Sequence, residues 1–275
     1  MARKIAKRGS AGKGYLAGGA ALGALLSVLC GAGWGQAFRN RSTPPGANSA
    51  PARVLPLRAG EALDYTVTFS KLSNVGTIRL AVAERRDFYG RPAWHLQAFA
   101  HTLNPLRMVF ELDDQFDSYS DTATLTSFQY ELHLHERGQT TDSILRLSAG
   151  DGAAPGPSSG AAMARVLPGT RDPLGMAQFL RTVDWTKVKE VRAPVYDGHE
   201  LYEVAARPVE TGAHVQVPAG AYSTTRIELR VFERGVEMKD THFNLWLAGD
   251  AGQTPVQLQA DLPFGSAQLR MTHAQ

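Results

Sequence analysis

The chain has 275 residues, 29 Lys and Arg against 26 Asp and Glu, and 43% hydrophobic content. That composition supplies a sizeable core and excludes a fibrous or wholly disordered chain. Seven of the basic groups (Arg3, Lys4, Lys7, Arg8, Lys13, Arg39 and Arg41) lie in residues 1–41, which hold no acid, so the other 22 face 26 acidic groups and the rest of the chain lacks the basic excess that nucleic acid binding requires.

Residues 1–13 are basic, and residues 15–34 are nearly uncharged and rich in Ala, Gly and Leu, the layout of a secretory signal. Small residues around Gly35-Gln36-Ala37 offer a cleavage site. A stretch of this length also meets the minimum for a membrane span. The only cysteine, Cys30, raises a lipoprotein reading, against which the bulky Leu29 stands just before it. In all three cases the domain is exported to the periplasm, with membrane contact through residues 15–34 if the segment is retained. Cys30 also leaves no partner for a disulfide and no thiolate metal site. The expected organisation is therefore a signal peptide or anchor over 1–37, a flexible tether over 38–58 carrying Pro44, Pro45, Pro51 and Pro56, and one β domain over 59–275.

Within that domain apolar residues recur with a period of two between turn signals. Leu63, Tyr65, Val67 and Phe69 share one face, followed by Ile78, Leu80 and Val82, then Trp94, Leu96 and Ala98. Met108, Phe110 and Leu112 form a fourth run, where the phase carries through to Phe116 only if Asp114 also points inward, so a bulge is expected at Asp113-Asp114. Phe128, Tyr130, Leu132 and Leu134 follow, then Ile144, Leu145 and Leu147. Residues 149–162, rich in Gly, Pro, Ser and Ala, read as a flexible surface loop. Asp172-Pro173 opens the one convincing helix, over 172–185, with Asp172 as N-cap and Pro173 at the first helical position. The second half resumes the alternation, with Asp197-Gly198 as a hairpin signal and Phe243, Leu245 and Leu247 opening a closing meander. These elements predict a mainly β fold: an antiparallel meander closed or strongly curved into a barrel or half-barrel, one short helix covering its mouth.

Several short motifs occur in a characteristic order. Gly60-Glu61-x-Leu63-x-Tyr65 opens the domain, and Val75-Gly76 starts the second strand. Asp114-x-Phe116-x-Ser118-x-x-Asp121, Asp172-Pro173-Leu174 and Phe179-Leu180-Arg181 follow. Val217-Pro218-Ala219-Gly220, Leu245-Trp246-Leu247-x-x-Asp250 and Thr254-Pro255-Val256 complete the series. With these residues, over about 59–272, the chain resembles the bacterial exported family known as domain of unknown function 3108. The resemblance implies an exported, mostly antiparallel β protein. It implies no established activity, so no catalytic residue is carried over.

Chemistry is sparse in the pattern. No serine elbow, Cys–His pair, Walker loop or dinucleotide fingerprint occurs in the domain. His133-x-His135 places two imidazoles on one face of a strand, but no third ligand follows at the spacing of a known metal fold. The sequence therefore assigns no metal, with His133 and His135 as the weak candidates, and no cofactor. Asp113, Asp114, Asp117 and Asp121 form a carboxylate-rich stretch without the Gly and Glu of a calcium loop. Asp114, if inward, would pair with Arg79 or Arg107.

The first functional expectation is a non-enzymatic envelope protein holding a lipid or other apolar small molecule in the β cavity. The candidate lining is Tyr65, Phe69, Trp94, Phe110, Phe128, Tyr130, Trp246 and Leu247, extended by Val67, Ile78, Leu80 and Leu245. The alternatives are an interaction module in envelope or polysaccharide assembly, with a protein partner, and a hydrolase built on Asp114 or the His133–His135 face.

Overall fold

A computed structural model describes residues 56–152 and 160–275. The expected leader and most of the tether lie outside these residues. Leu57, two residues before the expected domain boundary, is buried in the core.

Among the described residues thirteen strands form one sheet. They are β1 (Glu61–Phe69), β2 (Leu72–Phe88), β3 (Arg91–Thr102), β4 (Asp113–Asp121), β5 (Ser127–Glu136), β6 (Gln139–Ala149), β7 (Gly160–Val166), β8 (Val191–Tyr196), β9 (Leu201–Val217), β10 (Gly220–Glu233), β11 (Val236–Ala248), β12 (Pro255–Leu262) and β13 (Gly265–Ala274). The helix α1 (Pro173–Leu180) lies between β7 and β8 in sequence. The spatial order is β7-β6-β5-β4-β3-β2-β1-β13-β12-β11-β10-β9-β8. The first and last strands thus pair in the middle of the sheet, and the edges are the two strands that flank the helix. The sheet curls into a nearly closed barrel, and the segment that carries the helix lies at its seam. There Arg171 pairs in parallel with Val195 of β8, and the Ser127 N–H donates to the Thr170 carbonyl, so the strap before α1 ties one edge of the barrel to the start of β5.

The period of two sorts the residues by face. Leu63, Tyr65 and Val67, Leu96, Ala98 and Ala100, and Phe243, Leu245 and Leu247 point inward and are buried. Outward positions carry ion pairs such as Arg79–Asp64, Arg207–Glu228 and Arg226–Glu210. Apolar inside and charged outside is the reverse of a membrane-spanning barrel. Among the described residues no helix is long and apolar enough to cross a membrane.

Four expectations are corrected. Met108, Phe110 and Leu112 do not form a strand. Residues 106–108 make a 3-10 turn with Met108 82% exposed, because Pro105 has no N–H to give a ladder and Arg107 folds back onto Glu111 and Asp113. No bulge interrupts Asp113-Asp114: the β3–β4 register is unbroken, and the strand simply begins at Asp113 with Asp114 inward. Asp114 pairs with neither proposed arginine, since Arg79 is held by Asp64 and Arg107 by Asp113 and Glu111. The expected loop at 149–162 is shorter, because Gly160 to Ala162 already belong to β7, which adds to β6 in the parallel sense and covers what would be an exposed edge.

The helix is also shorter than its pattern. It ends at Leu180, and a turn follows in which the Trp185 indole N–H donates to the Leu180 carbonyl.

Candidate functional site

The strand pattern and the seam together place α1 against the concave face of the sheet. Its N-terminus is held by a buried polar nest. Asp172 caps the helix by accepting from the Gly175 N–H at 2.8 Å, and its other oxygen accepts from the Ser118 hydroxyl. The Asp172 N–H donates to the Ser127 hydroxyl, and Ser120 sits between Ser118 and Ser127. Burial raises the Asp172 pKa, and these hydrogen bonds oppose the rise. Gly175 is needed for this docking, because a Cβ there would lie 3.0 Å from the Leu125 carbonyl oxygen and 3.1 Å from the hydroxyls of Ser120 and Ser127.

The other end of α1 is clasped as firmly. Arg181, almost fully buried, reaches Glu61 at 2.7 Å, the Gly252 carbonyl at 3.0 Å and the Gln178 side chain at 2.7 Å. Gln253 returns the contact by donating to the carbonyls of Arg181 and Val183, and Asp250 shapes that loop by accepting from Thr254. The Tyr65 hydroxyl donates to the Pro255 carbonyl at 2.6 Å, and burial pushes its pKa far up, so it stays neutral.

Between these clasps lies a cavity of about 130 Å³. Its roof is Pro173, Leu174, Met176, Ala177 and Leu180 of α1. Its walls come from β1, β2 and β8 to β13: Tyr65, Ile78, Leu80, Val195, Tyr202, Val204, Leu229, Val231, Phe243, Leu245, Pro255, Gln257, Leu258 and Leu269. Gln257 and the two tyrosine hydroxyls are the side-chain polar groups in this lining. Strands β3 to β7 contribute nothing to it. Their inner face is filled by Phe116, Tyr130, Leu132 and Leu145, and the β8–β9 turn reaches in to close on them. At Gly198, whose φ of +102° suits glycine, a Cβ would stand 3.3 Å from both Leu132 and Leu145.

Of the eight residues first proposed as lining, the structure places Tyr65 in the cavity. Ile78, Leu80 and Leu245 of the wider set join it. Phe69 packs against Phe264 at a hairpin tip. Trp94 is half-buried, its indole N–H enclosed without a hydrogen-bond partner. Phe110 lies under the Arg137 guanidinium and Phe128 under that of Arg91. Tyr130 stacks with Phe116 in the filled part of the barrel. Trp246 points outward, half-buried, and Leu247 is buried beyond the lining. The alternation of Leu229 with Val231 and of Phe243 with Leu245 signals the inward face, but no pattern signals which inward residues surround empty space.

The acidic stretch does not converge either. Asp113 is held by Arg107 and His101, which draw its pKa down to about 2. Asp114 is buried and accepts from the His135 N–H, and burial lifts its pKa to about 7. Asp117 lies on the outer face under His95, and Asp121 caps the turn at 123–124. His133 and His135 share the outer face as expected. His135 turns to Thr140, however, while His133 meets Asp142 and Glu131.

The chain matches the family described as protein of unknown function (DUF3108) over residues 64–272. The chain belongs to that family. The motifs that carry the resemblance to DUF3108 converge on the helix: Glu61, Tyr65, Ser118, Asp172, Arg181, Asp250 and Thr254 all belong to the clasps just described. Among solved structures, this DUF3108 chain is similar to a β-barrel-like protein of the DUF1849 domain from Brucella abortus, with a TM-score of 0.53 and 10% identity over 79% of this chain and 97% of that one. That likeness shows the barrel fold. A Bacteroides fragilis protein with a YmcC-like fold also matches, with a TM-score of 0.32 and 11% identity over 82% of this chain and 99% of that one. No curated protein matches.

Proposed function

We propose that this protein is a non-enzymatic, exported binding protein that holds the apolar part of a lipid or similar molecule beneath α1. The observation that carries the reading is the cavity itself, apolar on nearly every side and roofed by a helix that is not part of the sheet. A cavity of 130 Å³ is close to the roughly 150 Å³ of an engineered apolar cavity that stays dry and admits benzene. At roughly 24 cal/mol per Å³ an unfilled space of this size forgoes about 3 kcal/mol of packing, and an apolar guest recovers part of that. The space fits a ring or the end of an acyl chain. A longer chain enters by displacing Leu174, Met176 and Leu180, of which Met176 is the most adaptable. The leader supports export, and the almost wholly apolar lining supports the binding of an apolar guest.

The test is native mass spectrometry and solvent extraction on the chain purified gently from the envelope. The reading expects a co-purifying apolar molecule that is lost when Ala177→Leu fills the cavity. A bare protein that takes up nothing from an envelope lipid extract overturns it and turns attention to protein partners.

A further inference from the structure

The outer face of the filled half carries a second constellation, independent of the cavity. Pairing of β3, β4, β5 and β6 lays outward side chains side by side: Gln97, Asp117 and Glu131 in one row, Gln115, His133 and Asp142 in the next. Asp117 and Glu131 are direct cross-strand partners, an arrangement of like charges that destabilises a sheet. Arg146, on the neighbouring strand β6, is engaged by Gln129 and Tyr89 instead. One donor atom each from Asp117, Glu131 and His133 lies within 4.8 Å of the others.

We propose that Asp117, Glu131 and His133 bind a divalent transition-metal cation of the Zn²⁺ class, stapling β4 to β5.

Three geometric features argue for it. The first is the orientation of His133. Its Nδ1 lies 2.7 Å from an oxygen of Asp142, which as a carboxylate accepts the proton, so in the neutral ring Nε2 presents a lone pair. That lone pair faces Glu131 Oε2 at 3.4 Å, where a metal ion takes the place of the proton that the charged ring would share with this carboxylate. The separation is long for a hydrogen bond and matches the edge between two ligands about 2.0–2.1 Å from one metal. The second feature is the carboxylate–imidazole pair formed by Asp142 and His133, the outer-sphere arrangement that orients metal-bound histidines. The third is the set of amides that hold the carboxylates in place. Gln97 and Gln115 donate to the two oxygens of Asp117 at 2.8 and 2.7 Å, and Gln129 donates to Glu131 Oε1. Glu131 Oε2 is left for the ion. His95 Nε2, 2.6 Å from Asp117 Oδ1, is a further partner that holds this carboxylate in place. Imidazole with carboxylates suits Zn²⁺ and its neighbours over Ca²⁺ or Mg²⁺.

The test is isothermal titration of the full chain with Zn²⁺, in a Cys30→Ser background that removes the one thiol, alongside Co²⁺ absorption and thermal unfolding. We expect one Zn²⁺ per chain, a rise in melting temperature, and a Co²⁺ spectrum of mixed nitrogen and oxygen ligation. His133→Gln and Glu131→Gln should each weaken binding at least tenfold, Asp142→Asn should weaken it to a lesser degree, and His135→Gln should leave it unchanged. No stoichiometric binding, or binding that His133→Gln and Glu131→Gln both leave intact, overturns the proposal. If one of these variants fails to fold, the Co²⁺ spectrum of the other decides.

Discussion

The two halves of the barrel solve the same problem in opposite ways. The inner face of β3 to β7 is occupied by the buried Phe116, Tyr130, Leu132 and Leu145 and by the incoming β8–β9 turn, and it carries the serines that bind Asp172. The inner face of β1, β2 and β8 to β13 is hollow and almost wholly apolar. The helix belongs to both: its cap is anchored among polar groups in the filled half, and its apolar side roofs the hollow one. A buried polar nest fixes position and direction, because each group must find a particular partner. Apolar packing over a cavity fixes neither and can yield to a guest. In the proposed reading one half serves as a mount and the other as a receptacle.

The largest test of this contrast is removal of a clasp. Arg181→Ala leaves Glu61 without its partner and frees the loop carrying Gly252, and taking one member from a buried ion pair costs about 3–5 kcal/mol. Urea unfolding should show a loss of that order.

A pH effect of roughly 4 kcal/mol is expected from the filled half, because Asp114 keeps its proton through about three pH units at about 1.4 kcal/mol each. Burial lifts Asp114 from 3.8 to about 7, so between these values the native state holds a proton that the unfolded state has lost. Stability therefore falls as pH rises from about 4 to about 7 and then levels off. Asp114→Asn should reduce that decline while keeping the acceptor for the His135 N–H, and the remainder belongs to the buried Asp197, whose pKa burial likewise lifts to about 7. Denaturant midpoints at pH 5 and pH 8 check the sign.

Volume tests are smaller and bear on the contrast directly. Ala98→Leu, at a fully buried position in the filled half, should cost about 1–3 kcal/mol through overpacking. Ala177→Leu, on the roof of the hollow half, should cost less than about 1 kcal/mol because the added atoms have space to enter. Equal losses in thermal unfolding of the two variants would show the halves to be packed alike.

Apart from the run at Met108–Leu112, where the strand begins only at Asp113, most strands, the turns and the helix start were legible in the sequence because each has a local signal: a period of two, an Asp-Gly pair, an Asp-Pro cap. The parallel pairing of β7 had none, since Gly160 to Ala162 carry the composition of a loop and are recruited by the open edge of β6. The cavity was legible only in part. Parity placed Tyr65, Ile78, Leu80 and Leu245 inward, but Phe110 and Phe128, equally apolar, lie under arginines elsewhere. Whether an inward residue meets another side chain or a void depends on how far the sheet curls, which no short window encodes. The partners of His133 were hidden for a related reason. Glu131 was in plain view two residues away, whereas Asp117 becomes a neighbour only through the β4–β5 register.

The most direct test of the receptacle is a binding titration of the full chain with a fluorescent medium-chain fatty acid, repeated with Ala177→Leu. The account predicts saturable binding at one site per chain, weakened at least tenfold by the substitution while the melting temperature stays near that of the parent. Absence of saturable binding by the parent, or equal binding by a folded Ala177→Leu variant, would contradict it.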